Sequence, residues 1–302
     1  MQSISARMEG GTDPVELRRL AVVAAGIGVL SQIALPLIHG YGRTVVTILS
    51  VLALFMAAVL HSLSESGQAT LMALLVLVGG GLLVEAVGAS TGFPFGSYDY
   101  TRSLGVHLLG VPVVVPLAWM MVGWPAFVAG RKIGNTVFTG TTILVAWDLF
   151  LDPQMVKAGH WVWKPTKWPK LNDIPISNTI GWAVVAAAMM YLLDRFVEVE
   201  VGSEGVPLLI LAWIWFSSIM GALVFGLSRP RVALVGGVAL TLALVPVVVR
   251  VMQENRKRAE VQQERRNNPH PPRPGPDRPG APGSTGGSPQ RQPGAASPPR
   301  RS

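Results

Sequence analysis

The chain has 302 residues, half of them hydrophobic and 14% charged, with no cysteine and a formal net charge of +8. The absence of thiols excludes disulfides, thiolate catalysis and cysteine metal sites. The charge is uneven: residues 251–302 hold ten Lys or Arg against four acids, which supplies +6 of the net value.

The apolar residues are gathered into eight blocks, at about 18–38, 44–63, 69–88, 110–130, 136–152, 176–194, 206–227 and 231–250. Their lengths are close to the ~20 residues that cross a bilayer core of about 30 Å. A transmembrane barrel would show short alternating segments instead. The expected fold is all-α: a polytopic integral membrane helical bundle of about eight transmembrane helices.

Residues 1–17 form a polar N-terminal segment. The block after it is too long for the apolar stretch of a cleaved signal peptide, so it is expected to remain as the first helix. The transmembrane domain is expected to span 18–250. The third block, "ATLMALLVLVGGGLLV", runs straight into "EAVGASTGFPFGSYDY", residues 85–100. A membrane helix thus carries a carboxylic acid, Glu85, into a loop dense in glycine and aromatics. Gly81, Glu85 and Gly88 share one helical stripe. Glycines beside the acid let another helix or a ligand approach the backbone. The loop that follows carries Tyr98, Asp99, Tyr100 and His107.

The fifth block fits a membrane span least well, because it carries Asp148. It ends in "AWDLFLDP", residues 146–153, where Thr141, Val145, Asp148 and Asp152 recur at helical steps on one face. Pro153 is expected to end that helix near Asp152. The loop "QMVKAGHWVWKPTKWPKLNDIP" and the helix start "ISNTIGW" follow, with Asn178, Gly181, Trp182 and Val185 on one face. The segment 251–302, rich in Pro, Gly, Ser and Arg, is expected to be a disordered basic tail against anionic lipid headgroups. No aromatic residue is interleaved with its arginines, so no nucleic-acid partner is expected.

Short-loop Lys and Arg counts place both termini on the cytoplasmic side of the cell membrane. The same threading brings Glu85, the loop 90–109, Asp148, Asp152, the loop 154–175 and Asn178 to the opposite side. A site is expected there.

Ionisable residues inside membrane helices are costly and commonly functional. Each candidate also has a structural alternative. Asp148 and Glu85 could be hydrogen-bonding partners between helices, Asp152 a cap, Asp99 a turn closure and Asn178 an N-cap. Trp161, Trp163 and Trp168 could form an interfacial aromatic belt. His107 and His160 stand alone, without the spacing of a metal motif. "GGG" at 79–81 lacks the strand and the Lys-Ser/Thr pair of a nucleotide loop. No metal and no cofactor is therefore expected. What remains is carboxylic acids, tyrosines and aromatic faces. A carboxylic acid in apolar surroundings keeps its proton and can donate it. Aromatic faces stabilise a nearby cation. The set suits protonation of an alkene followed by capture of the carbocation.

Three motifs, "EAVGASTGFPFGSYDYT", "WDLFLDPQMVKAGHWVW" and "IPISNTIGW", together resemble the CruF-type carotenoid biosynthesis family. These are integral-membrane carotenoid 1,2-hydratases, including γ-carotene and bisanhydrobacterioruberin hydratases. The resemblance covers about residues 69–227 and departs from the family pattern at Asp173 in "LNDIPISN". It implies addition of water across the terminal C1–C2 double bond of an acyclic carotenoid end group, giving a tertiary alcohol. The enzyme would be a cofactor-independent hydro-lyase. Its partners would be a membrane-dissolved carotenoid, water and the lipid bilayer, with other membrane enzymes of the pathway as neighbours. In that reading Asp148 or Glu85 donates the proton, and Asp152 or Asp99 orients water and accepts its proton. Tyr98, Trp147 and Trp161 wall the cation, and Asn178 holds a carboxyl group or the water. Phe93 and Phe95, within the "FPFGSY" floor, contact substrate together with Trp163 and Trp182. A carotenoid cyclase would use the same protonation but exclude water. A proton-coupled carrier would have mid-membrane polar residues and repeated halves, and neither is visible.

Overall fold

The computed structural model describes residues 13–198 and 203–267. Eight long helices account for most of it. They are α1 (Pro14–Ala34), α2 (Tyr41–Glu65), α3 (Gly67–Thr91), α4 (Val114–Ile133), α5 (Thr136–Lys157), α6 (Ile176–Phe196), α7 (Gly205–Leu223) and α8 (Pro230–Asn267). Seven of these are long and apolar enough to cross a membrane. The exception is α5, whose apolar run is interrupted by Asp148 and Asp152. It packs between α4 and α6, and its two acids face protein rather than lipid. The chain is a polytopic helical membrane protein.

Sequence pattern explains the layering. The stretch "AWMMVGWPAFVAG" in α4 is apolar on every side, as a helix enclosed by others must be. Correspondingly, 78% of that span is buried, against 28% for α1, α2 and α3. The outer helices leave Val23, Leu30, Leu83, Leu234 and Leu242 exposed, an apolar girdle suited to lipid.

Helix ends follow local chemistry. Asp13 caps α1 by accepting from the Val15 amide, with Pro14 in the first turn. Gly92 and Gly134 end α3 and α4 in the left-handed region. Inside α3 the residues Leu74–Gly79 form a π-helical segment. The buried positions there, Ala69, Ala73, Leu77, Gly81 and Glu85, recur every four residues. That spacing exceeds the 3.6 of an α-helix, and the wider π turn keeps Glu85 on the inner face.

Two expectations are corrected. Pro153 does not end α5: the helix continues through it to Lys157. A proline so near the C-terminus removes one amide donor in a turn that has few bonds left to lose. Residues 251–267, assigned by composition to the tail, are helical and extend α8. The rest of that tail lies outside the described residues. The chain divides into units at Asn255 and Arg256, and the described part of the second, Arg256–Asn267, is an exposed stretch of helix.

Three two-stranded ribbons decorate the ends of α3, α5 and α6. Strand β1 (Tyr98–Tyr100) pairs antiparallel with β4 (Trp161–Trp163). Strands β2 (His107–Leu108) and β3 (Val111–Pro112) form a hairpin, as do β5 (Lys170–Leu171) and β6 (Ile174–Pro175). The departure at Asp173 has a local explanation. Asn172 and Asp173 are the two turn residues of the last hairpin, at φ 53° and 71°. Asn and Asp tolerate that left-handed geometry better than other side chains. Asp173 also pairs with Arg229, and with Arg231 at 3.5 Å.

Candidate active site

The β1–β4 ribbon sets the site. Side chains alternate across a strand, and the register places Tyr98 opposite Trp163 and Tyr100 opposite Trp161. All four rings therefore share one face, turned towards the helices. Tyr98 and Tyr100 meet edge to face at 5.3 Å, Tyr98 lies 5.0 Å from Trp163, and Tyr100 lies 5.7 Å from Trp161.

Behind this aromatic wall sit three buried carboxyl groups. Tyr98 and Tyr100 both donate to Glu85 Oε2, at 2.6 and 2.7 Å. Trp119 Nε1 donates to Glu85 Oε1 at 3.2 Å. On α5, Trp161 Nε1 donates to Asp152 Oδ1 at 2.6 Å. The Asn178 amide of α6 bridges the two aspartates. It donates to Asp152 Oδ2 at 2.6 Å and to Asp148 Oδ2 at 2.9 Å. Every oxygen of the three groups is thus engaged except one. Asp148 Oδ1 accepts no hydrogen bond among the described residues, and Asp148 lines a cavity of about 450 Å³. Trp163 Nε1, in the same wall, is a buried donor directed at Asp152 but without a partner at normal hydrogen-bond distance among the described residues. Burial, then the adjacent Glu85, pushes both tyrosine phenols well above their ordinary value. They act as hydrogen-bond donors, not phenolates.

Indole faces complete the enclosure. Trp119 and Trp182 stack at 4.1 Å with 11° between their planes, and Trp147 meets Trp182 edge-on at 6.0 Å. The glycine stripe on α3 makes this packing possible. A Cβ on Gly81 would stand 2.9 Å from the Trp119 ring, and one on Gly88 would stand 2.8 Å from Phe95 and 2.9 Å from Tyr98 Oη. Gly88→Ala is accordingly expected to displace Tyr98 from Glu85. A loss of about 1–3 kcal/mol should appear as a lowered melting temperature in detergent, with turnover reduced as well.

The structure brings together Glu85, Asp148, Asp152, Tyr98, Phe95, Trp147, Trp161, Trp163, Asn178 and Trp182 on one cavity. It separates two residues from them. Asp99 stands between the two inward tyrosines, so strand alternation turns it outward. Its side chain is 66% exposed and pairs with Lys164 at 2.9 Å. Phe93, at the turn after α3, is 73% exposed and lines no part of the cavity. Both therefore stand outside the cavity. Asp99→Ala and Phe93→Ala should leave turnover within about twofold of the parent, as surface substitutions do.

Two site residues escaped sequence reasoning. Tyr100 was legible in the alternation of "YDY", where the partner of Tyr98 is two positions on, not one. Trp119 lies in an unbroken apolar run, and only the facing Gly81 hinted that a large ring would pack there.

Residues 42–246 match the model of a family described as carotenoid biosynthesis protein. The chain belongs to that family. Over 121 residues it is 30% identical to the bisanhydrobacterioruberin hydratase of Haloarcula japonica, a stretch that covers 37% of this chain and 40% of the relative. This carotenoid biosynthesis protein thus aligns with less than half of that relative's length. No solved structure matches it.

Proposed function

We propose that this protein is a hydratase that adds water to a terminal double bond of an acyclic carotenoid end group. The observation that carries the reading is the lone unengaged carboxyl oxygen, Asp148 Oδ1, in a cavity walled by indole and phenol rings. The proton of Asp148 goes to C2 of the alkene. The π pair forms the new C–H bond and leaves a tertiary cation at C1. The faces of Trp147 and Trp182 stabilise that cation, and Glu85 presents acceptor oxygens on the same wall. Water adds its oxygen to C1. Its surplus proton passes to the Asp148–Asp152 pair, which returns to its starting state. The net change is one alkene plus one water, with no redox step.

The groups beside Asp148 favour water over cyclisation. Asp152 keeps lone pairs for a water hydrogen, and Trp163 Nε1, directed at Asp152 without a normal hydrogen bond among the described residues, can donate to its oxygen. A buried water needs two to four such partners. A cyclase would require an apolar wall where these groups stand. The distant hydratase relative supports the same choice. We also propose that the chain lies in the cell membrane with both termini cytoplasmic, so that the site opens to the opposite side.

The test is expression in a bacterium that accumulates an acyclic carotenoid, followed by mass spectrometry of the pigments. The expected product is heavier by one water per reacted end, carries a tertiary alcohol and has lost a terminal double bond. An isomer of unchanged mass would replace this reading with a cyclase.

A further inference from the structure

The cavity is larger than the acid cluster needs. It continues along an apolar wall to α1 and α7, where Gln32 meets Trp213 and Ser217. Trp213 Nε1 donates to Gln32 Oε1 at 2.7 Å, and Ser217 Oγ approaches the same oxygen at 3.5 Å. An indole N–H can only donate, so this contact fixes which way the amide faces. The oxygen is held by Trp213, and the NH2 group is left over. Its two hydrogens have no acceptor among the described residues.

That vacancy is unusual for its place. Gln32 sits within the apolar span Pro14–Leu37, five residues before its end, and lines the cavity. A polar group in an apolar span costs free energy unless something bonds to it. None of its partners belongs to the acid cluster, whose own bonds run among α3, α4, α5, α6 and the β1–β4 ribbon. Gln32 also precedes the family-matched region, residues 42–246, so the family match does not account for it.

We propose that the Gln32 amide is a second polar contact in the cavity, which donates a hydrogen bond to an oxygen function on the carotenoid-like ligand. This rests on the proposed carotenoid substrate for the ligand's length and apolar character. The oxygen has two sources of the same chemistry: one already present on the substrate, or the hydroxyl formed by the reaction. Gln32 selects among ligands and takes no part in proton transfer.

The test is direct binding, read by quenching of tryptophan fluorescence in detergent. The probes are two acyclic carotenoids that differ only in one terminal hydroxyl. The parent protein is expected to bind the hydroxylated one about 2- to 12-fold more tightly, the effect of one net hydrogen bond. Gln32→Met should abolish the preference and leave the hydrocarbon's affinity unchanged. The ratio of the two affinities cancels any loss of folded protein, so a merely structural Gln32 would not move it. Equal affinities in the parent, a preference that survives in Gln32→Met, or an equal weakening of both ligands would each overturn the proposal. Turnover then separates the sources. A raised KM for hydroxylated substrate assigns the oxygen to the substrate, and relief of product inhibition with the hydrocarbon assigns it to the product. Binding discrimination without any hydration would retain the Gln32 contact and discard the hydratase reading.

Discussion

Asp148→Asn is expected to give a protein that inserts and folds but loses at least about a hundredfold in hydration rate, the usual contribution of a positioned general acid. The substitution is close to isosteric. An amide oxygen at position 148 can still accept from Asn178 Nδ2, so the contact between α5 and α6 survives. What disappears is the ionisable proton on the side of the group that faces the cavity. Asp152→Asn differs in kind. Both Asp152 oxygens already accept, from Trp161 and from Asn178. An amide there sets one NH2 against a donor, and the buried mismatch costs about 1–3 kcal/mol. Asp148→Asn should therefore lower turnover with little change in melting temperature, whereas Asp152→Asn should lower both. Pigment turnover per folded molecule, measured beside a thermal melt in detergent, separates them. Parent-like turnover by Asp148→Asn would mean that the proton comes from elsewhere.

Much of this arrangement is legible in the amino-acid sequence. The eight apolar blocks gave the helices, because membrane spans are set by length and hydropathy more than by subtle propensity. The threading of those spans brought Glu85, Asp148, Asp152 and Asn178 to one level. Helical spacing correctly put Asp148 and Asp152 on one face, and the glycines beside Glu85 announced a close approach. Failures arose where a different period ruled. Helical and composition-based reasoning has no hold on "SYDYT", a strand whose alternation turns Asp99 to solvent and Tyr100 inward. Phe93 lies in a turn, where neither period decides the direction of a side chain. The reach of α5 past Pro153 and of α8 past residue 250 escaped for a shared reason: proline and charge mark where a helix is weakened, not where it stops. The choice between Asp148 and Glu85 as donor is not readable in the sequence, because it depends on which oxygens are occupied.

Glu85→Gln should be the most disruptive conservative change in the protein. Three donors converge on that side chain: two phenols on Oε2 and one indole on Oε1. A glutamine offers one oxygen and one NH2. The indole of Trp119 can only donate, so the amide oxygen must turn to it, and the NH2 then faces Tyr98 and Tyr100. Each phenol can reverse and accept, but the NH2 must then serve two oxygens from one side, and the tyrosines lose the geometry that sets the β1–β4 ribbon. The expected cost is about 1–3 kcal/mol of stability from imperfectly satisfied buried groups, with turnover per folded molecule lowered about tenfold or more. Single-donor variants rank the contributions. Tyr100→Phe leaves Tyr98 on the same oxygen and should be mild, whereas Trp119→Phe strips Oε1 of its one donor among the described residues and shrinks the ring stacked on Trp182. If Glu85 only braces the ribbon, Glu85→Gln and Trp119→Phe will lower the melting temperature while turnover per folded molecule stays at the parent level. If it also faces the developing cation, turnover will fall further than stability, and the gap should be larger for Glu85→Gln than for Trp119→Phe.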